Sequence, residues 1–145
     1  FRLTNLLAAL GVAQLENLPV FLRRKKRLYE HLLRAIQPIT GLSLIERPNY
    51  AESNNWMNIL LIHRKEFGQD RDTLMGLLAT REIQTRPIWK LNHLQKAFRN
   101  CDGYKIKSAQ RFVTSCLCLP SGANLRECHM DMLVRALEQI GKARR

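Results

Sequence analysis

The sequence predicts an α/β domain, α+β-like in character, in which a short sheet of three to four strands is covered by helices. Three observations predict this class. Apolar residues recur every three to four positions in several segments, short apolar runs have the composition of strands, and the two kinds of segment alternate along the chain. With 145 residues, 46% of them hydrophobic, the chain can bury a core, so we expect residues 1–145 to form a single domain.

Two consecutive helices are predicted at the amino end. The apolar side chains of residues 3–14 fall on one helix face, and this helix is expected to end near Asn17. Pro19 suits the first turn of a second helix, because the N–H that proline lacks would have no intrahelical partner there. The second helix is expected to stop at Pro38 and Gly41.

Short apolar segments predict the strands of the sheet. Residues 56–62 become continuously apolar toward their end, as expected for a central strand buried on both faces. Residues 83–89 predict a second strand, in which Pro87 indicates an edge or strand-end position because proline cannot donate a ladder hydrogen bond. Residues 116–119 predict a third strand, and alternation over residues 42–45 indicates a further short one.

The remaining segments predict helices. Asp70 is placed to cap one of them. Asn124 and Glu127 resemble a capping box for a final amphipathic helix, which Gly141 is expected to end. Shorter helices are predicted over residues 91–98 and 106–114.

The chain is strongly basic, with 24 Lys and Arg against 12 Asp and Glu and a net charge of +12. Such a surplus favours anionic partners: nucleic acid, phosphorylated small molecules or an acidic protein surface. The densest basic run, residues 23–27, lies inside a helical pattern, and we interpret it as a solvated helix face.

All four cysteines lie in the last third of the chain. A domain of this length does not need disulfides, so buried free thiols are the simplest interpretation. Cys116, Cys118, Cys128 and His129 are an alternative set of zinc ligands. Their spacing departs from common zinc motifs, and the first two lie in a predicted strand, so we expect no metal site.

Neither a membrane span nor secretion is predicted, because the chain has no uninterrupted run of about 18 apolar residues and no basic-plus-apolar leader. A cytoplasmic location is therefore expected. The sequence opens with Phe1 directly before a helical pattern, and we expect further polypeptide upstream.

Several segments resemble one known family. Residues 1–16, FRLTNLLAALGVAQLE, resemble the passage from the large into the small domain of bacterial aminotransferases that act on nucleotide-linked keto-sugars, members of the aspartate aminotransferase fold type I. Residues 23–27 resemble the basic helix of that family, and residues 85–89, TRPIW, with His93 resemble its threonine–arginine, aromatic and histidine segment. The Arg86-Pro87-x-Trp89 version is most similar to the branch that makes 4-amino-sugar precursors of bacillosamine or legionaminic acid.

The resemblance implies a small carboxy-terminal domain of an enzyme that moves an amino group from glutamate to a nucleotide-linked keto-sugar. It further implies pyridoxal phosphate (PLP) as the carrier and a homodimer with sites between subunits. In that family the large domain supplies the Schiff-base lysine. Lys65, Lys90 and Lys96 match no lysine motif of the family, so we interpret them as surface residues and expect this chain to be inactive alone.

The resemblance also implies site residues. Arg86 is a candidate to bind a diphosphate or carboxylate, with a surface ion pair as the alternative. Trp89 is a candidate to flank the sugar or nucleotide, with a core tryptophan as the alternative. His93 is a candidate substrate hydrogen-bonding group, with a structural role as the alternative. Arg2 is the candidate contact to the cofactor phosphate of the neighbouring subunit, and no residue here is expected to be catalytic.

Two other functions remain open from the sequence. A basic nucleic-acid-binding module would explain the charge, although we find no zinc finger, RNP-type aromatic strand or glycine-rich backbone clamp. A domain used only for dimerisation or allosteric contact is the third interpretation.

Overall fold

A four-stranded antiparallel sheet forms the centre of the fold. The computed structural model describes residues 2–98 and 100–142. Its strands are β1 (Leu42–Leu44), β2 (Asn58–Ile62), β3 (Arg86–Pro87) and β4 (Cys116–Leu119), in the order β1-β2-β4-β3. The predicted mixture of helices with a short sheet is confirmed.

The two central strands supply the apolar middle of the sheet. β2 alternates buried and half-buried residues, whereas all four residues of β4 are buried. Leu60 is paired with Leu117, and both side chains are completely buried. Continuous burial explains why β4 is apolar throughout. The central position predicted for residues 56–62 is confirmed, because β2 lies between β1 and β4 in the sheet.

Helices cover the sheet and bury its apolar residues. They are α1 (Asn5–Ile36), α2 (Arg64–Phe67), α3 (Arg71–Ala79), α4 (Lys107–Ser115) and α5 (Glu127–Lys142), with 3-10 turns at Asn92–Leu94 and Lys96–Phe98. α1 packs against α5 and β1, α3 packs against α5 and β4, and α4 packs against β2. The single core formed in this way includes leucines from α1, the central strands, α3 and α5.

The prediction of two amino-terminal helices is wrong, because α1 is continuous and contains Pro19. Asn17 does not end the helix; its side-chain amide donates to the Ala13 carbonyl at 2.8 Å. An interior proline removes one helical hydrogen bond, at a cost of about 3 kcal/mol. Leu15, Glu16 and Leu22 near the proline are good helix formers, and the carboxy-terminal half is anchored by buried Leu28 and Leu32, so the helix persists through the proline.

The second predicted strand is much shorter than residues 83–89. Only Arg86 and Pro87 pair with β4, at the end of the sheet. The edge position inferred from Pro87 is confirmed, and the missing N–H of this residue explains why the ladder stops there. Residues 91–98, predicted as a helix, instead form the two 3-10 turns.

Helix α5 begins and ends differently from the prediction. His129 caps its first turn, because the His129 Nδ1 accepts the Arg126 backbone N–H at 3.1 Å. The predicted capping box of Asn124 and Glu127 does not form. Gly141 lies inside the helix. A Cβ at Gly141 would lie 3.1 Å from Cε2 of Phe67, so this glycine allows close packing instead of ending the helix.

The Asp70 cap is confirmed. Its Oδ1 accepts the Thr73 backbone N–H at 2.9 Å, at the start of α3. That hydrogen bond is the main reason why the pKa of the Asp70 carboxyl is lowered from its ordinary value.

Candidate functional site

Two exposed tryptophans lie against each other at one end of the sheet. The ring centroids of Trp56 and Trp89 are 5.6 Å apart, and the ring planes are tilted by 33°. Trp56 is 63% exposed and Trp89 61%, so the alternative of a core tryptophan for Trp89 is wrong. Because tryptophan has a large apolar ring, such a pair presents a surface suited to stacking on another ring.

A cleft of about 470 Å³ adjoins Trp89. It lies between the segment that follows β3 and the segment that precedes α4. Its lining includes Trp89, Lys90, Asn92, His93, Asp102 and Tyr104. Aromatic rings, a cation and hydrogen-bonding groups therefore face the same space, which suits a ligand with both ring and polar parts.

His93 lines this cleft and has an unused hydrogen-bonding atom. Its Nε2 is buried, and among the residues that the structure describes it has no hydrogen-bond partner. The hydroxyl of Thr85, in the segment just before β3, is buried and unpartnered in the same way. An unsatisfied buried polar atom costs about 1–3 kcal/mol, so both atoms are candidates for partners that come from a ligand or another polypeptide.

The candidate residues are only partly brought together. Trp89 and His93 line the same cleft, whereas Arg86 is exposed on β3 and does not line it. Within residues 2–98 and 100–142, the Arg86 guanidinium forms no ion pair, so its predicted alternative role is not observed there. Arg2 is exposed in the segment before α1, whereas the other three candidates lie on β3 or in the segment that follows it.

Sequence reasoning missed three residues beside this surface. The Lys25 ammonium group on α1 donates to the Ser121 carbonyl and, at 3.5 Å, to the Trp56 carbonyl. The Ser121 hydroxyl donates to the same Trp56 carbonyl at 2.6 Å. An aromatic residue at the end of a polar loop could have indicated Trp56, but only the fold brings α1 and the two loops together.

Lys25 also departs from the interpretation of the basic run as a solvated face. Its four neighbours in residues 23–27 are exposed, as predicted, but Lys25 is half-buried. Burial lowers the pKa of the Lys25 ammonium group, because the charged form loses hydration.

The cysteines form no metal site in the part of the chain that the structure describes. Cys116 and Cys118 are buried free thiols, as predicted, whereas Cys101 and Cys128 are exposed and free. Burial, with a smaller contribution from Cys118, raises the pKa of Cys116 to about 11, which disfavours the thiolate that zinc requires. Among the described residues, no group of three or more His, Cys, Asp or Glu could hold a metal ion.

The described residues do not fit PLP as a complete site. Its chemistry requires a lysine amine and an acidic group against the pyridine nitrogen. Lys65, Lys90 and Lys96 are exposed, and the buried polar residue in the described ranges is an amide, Asn58. These residues can contribute to a site formed with other polypeptide, but they do not form one alone.

The amino-terminal half of α1 leaves an apolar face uncovered. Leu6, Leu10 and Leu15 are among the exposed leucines there. An 18-residue window of α1 is apolar enough, with a mean hydropathy of 1.3, for the helix to cross a membrane, and none of that window is buried. No uninterrupted apolar run of about 18 residues is present, because Gln14, Glu16 and Asn17 interrupt the apolar residues of this part of α1. One such helix near an amino end is weak evidence for a span, because signal sequences have the same properties.

Comparison with known proteins identifies the family. The model of the DegT/DnrJ/EryC1/StrS aminotransferase family matches residues 1–138. The chain belongs to this family. The resemblance inferred from residues 1–16 and 85–93 is thereby confirmed.

Family members of several bacteria are similar to the chain. The "Putative pyridoxal phosphate-dependent aminotransferase EpsN" of Bacillus subtilis is 28% identical over 143 residues, which cover 94% of the chain and 36% of EpsN. GDP-perosamine synthase of Caulobacter vibrioides is 26% identical over 146 residues, which cover 97% of the chain and 38% of the synthase. The chain thus spans little more than a third of the length of these relatives.

A solved structure agrees on the fold. PseC of Helicobacter pylori, an aminotransferase involved in the biosynthesis of pseudoaminic acid, superposes with a TM-score of 0.85 at 20% identity. The match covers 99% of the chain and 38% of PseC. At this identity the likeness establishes the fold, which is that of the fold type I sugar aminotransferases over about a third of their length.

Proposed function

We propose that the chain is the carboxy-terminal portion of a PLP-dependent aminotransferase that transfers an amino group from glutamate to a nucleotide-linked keto-sugar. The family match over residues 1–138 is the observation that supports this most strongly. Relatives named GDP-perosamine synthase and dTDP-4-amino-4,6-dideoxy-D-glucose transaminase support a nucleotide-linked substrate. The proposed complete enzyme is a cytoplasmic homodimer, of the branch that makes 4-amino sugars.

The residues of the site indicate which tasks belong to this chain and which belong to the rest of the enzyme. When bound, PLP supplies an electron sink for the carbanion that amino transfer generates. The described residues lack a complete site for it, so an upstream large domain is proposed to hold the cofactor and its lysine. The chain alone is then inactive, and its own task is to bind and orient substrate.

Each candidate residue has a proposed role in that task. Arg86 has no ion-pair partner within residues 2–98 and 100–142, and its guanidinium suits a diphosphate or carboxylate, which it can bind through two parallel hydrogen bonds. Trp89 provides an apolar ring at the mouth of the cleft, and the unpartnered Nε2 of His93 suits a polar substrate group. Arg2 is proposed to contact the cofactor phosphate of the neighbouring subunit.

A reconstitution experiment tests the proposal. The complete product of the gene that encodes this chain is incubated with PLP, glutamate and a panel of UDP-, dTDP- and GDP-linked 4-keto-sugars. We expect PLP absorbance in the purified protein and glutamate-dependent conversion of one keto-sugar to its amine, detected by mass spectrometry. The 145-residue chain alone should show no turnover. A complete gene product that does not bind PLP would refute the assignment.

Nucleic-acid binding is the second candidate, favoured by the net charge of +12 and by the exposed cations beside Lys25. It predicts tight binding to DNA or RNA with a steep salt dependence, because each phosphate contact releases counterions. Titration of the chain with a labelled oligonucleotide across salt concentrations separates the two functions. Submicromolar affinity near physiological salt would favour this second function.

A further inference from the structure

The loop that carries Trp56 and the loop that carries Ser121 lie beyond the hydrogen-bonded ladder of the sheet. The pairing of β2 with β4 ends with Asn58 opposite Leu119. Trp56 precedes Asn58 by two residues, and Ser121 follows Leu119 by two residues. Since Trp56 is mostly exposed, burial of its ring does not fix its position. Hydrogen bonds fix the loop instead: the Trp56 backbone N–H donates to Asn54 Oδ1 at 3.0 Å, and the Trp56 carbonyl accepts from Lys25 and Ser121.

Lys25 supplies the central contact between them. Its ammonium group donates to the carbonyls of both Trp56 and Ser121, and the Ser121 hydroxyl donates to the Trp56 carbonyl. Nearby, the Asn58 side-chain amide donates to the Pro120 carbonyl at 3.3 Å. One cation on α1 thus joins the loop that enters β2 to the loop that leaves β4.

The surroundings of Lys25 indicate positioning and not charge pairing. Within the described ranges, the Lys25 ammonium group has no carboxylate at ion-pair distance. Its observed partners are main-chain carbonyls, and burial lowers its pKa. A half-buried ammonium with carbonyl partners loses hydration without gaining an ion pair, so its evident contribution is the geometry that its three N–H donors impose.

We infer that Lys25 is a positioning residue that holds Trp56 against Trp89, and that this tryptophan pair forms a stacking surface for the planar base of a nucleotide. The planar exposed rings favour a planar π partner. The identity of the ligand rests on the proposed function, whereas the positioning of Trp56 by Lys25 does not. The surface adds Trp56 to the residues that the sequence identified.

Circular dichroism tests the positioning directly in the 145-residue chain. Two indoles in contact produce a coupled pair of bands. Trp56→Phe should abolish these bands, which would assign them to the contact between Trp56 and Trp89. We expect Lys25→Met to lose this signal while the helical signal persists, and Lys25→Arg, which keeps several N–H donors, to retain it. Lys26→Met is the matched control, because Lys26 is the next residue of the same helix and its side chain is 61% exposed. A Lys25→Met variant that keeps the coupled bands would overturn the inference.

A milder variant keeps the test decisive if Lys25→Met does not fold. Lys25→Gln retains a shorter donor and should weaken the coupled bands in a folded chain. Unchanged bands in that folded variant would contradict the positioning role.

Tryptophan fluorescence then tests the ligand. The chain is titrated with UDP, dTDP and GDP, and with pyrophosphate as a probe that lacks a base. We expect one nucleotide to quench the fluorescence, and Lys25→Met or Trp56→Ala to weaken that affinity about tenfold while Lys26→Met does not. Equal quenching by pyrophosphate, or equal nucleotide affinity in the Lys25 variant, would contradict base stacking. If the coupled bands depend on Lys25 but no nucleotide binds, the positioning role of Lys25 stands. The nucleotide base would then be refuted as the ligand.

Discussion

The imidazole Nε2 of His31 on α1 lies 2.7 Å from Oδ1 of Asp131 on α5. The hydrogen bond joins residues 100 positions apart, between helices that pack on each other beside the sheet. No residue of the chain was expected to be catalytic, and this contact gives His31 a structural role. Because both side chains are partly exposed, the contribution of the bond to stability should be moderate.

We expect His31→Ala to lower the free energy of unfolding by about 1 kcal/mol, the usual net value of one hydrogen bond. Glu30→Gln is the control, because it disrupts the more exposed pair in which Lys26 Nζ lies 4.0 Å from Glu30 Oε1. That change should cost no more than about 0.5 kcal/mol. Urea unfolding at neutral pH measures both. Equal losses would show that the contact between α1 and α5 contributes nothing beyond an ordinary surface pair.

Helix α1 permits a second comparison within one element, between a buried and an exposed leucine. Leu32 is completely buried, whereas Leu6 is 81% exposed. Leu32→Ala should destabilise the chain by about 2–5 kcal/mol, because it removes apolar contacts and leaves a cavity. Leu6→Ala should change stability by less than about 0.5 kcal/mol. Guanidinium unfolding followed by circular dichroism checks both, and a large loss in Leu6→Ala would show that this face is covered in solution.

The difference between these leucines also shows what the sequence can predict. Periodicity identified the apolar face of α1, but it could not show that the amino-terminal half of this face remains exposed. The buried strand β4 was predictable because its four residues are all apolar. By contrast, the shortening of β3 and the continuity of α1 through Pro19 depend on tertiary packing. For the site, a local motif identified Trp89 and His93, whereas the contact with Trp56 and its support from Lys25 join distant parts of the chain.

The buried thiol of Cys116 predicts a loss of stability at alkaline pH. The folded-state pKa is raised to about 11 from an ordinary value of 9.0, so the unfolded chain releases this proton first as pH rises. The contribution of the Cys116 thiol to the free energy of unfolding is therefore fully present below pH 9. It falls between pH 9 and 11, by at most about 1.4 kcal/mol per pH unit for one group.

Urea unfolding from pH 8 to 11 measures this slope. The decrease should be smaller in Cys116→Ala than in the wild-type chain, and the difference between the two removes the contribution of other titrating groups. Cys128→Ala is the control, because this thiol is exposed. The same slope in all three proteins would contradict the predicted role of the Cys116 thiol.

Asp70 predicts the opposite behaviour at acidic pH. The Thr73 backbone N–H lowers the pKa of its carboxyl below the ordinary value of 3.8, so the folded state favours the ionised form. The stabilisation is present above pH 3.8 and is lost as pH falls through the lowered folded-state pKa. Asp70→Asn should keep the cap on α3, because asparagine also accepts this hydrogen bond, but should reduce the acid-side slope of stability. Asp72→Asn serves as the control in the first turn of the same helix, and thermal unfolding between pH 2.5 and 5 distinguishes the variants. If Asp70→Asn retained the wild-type slope, the acid sensitivity would have to arise from other carboxyl groups.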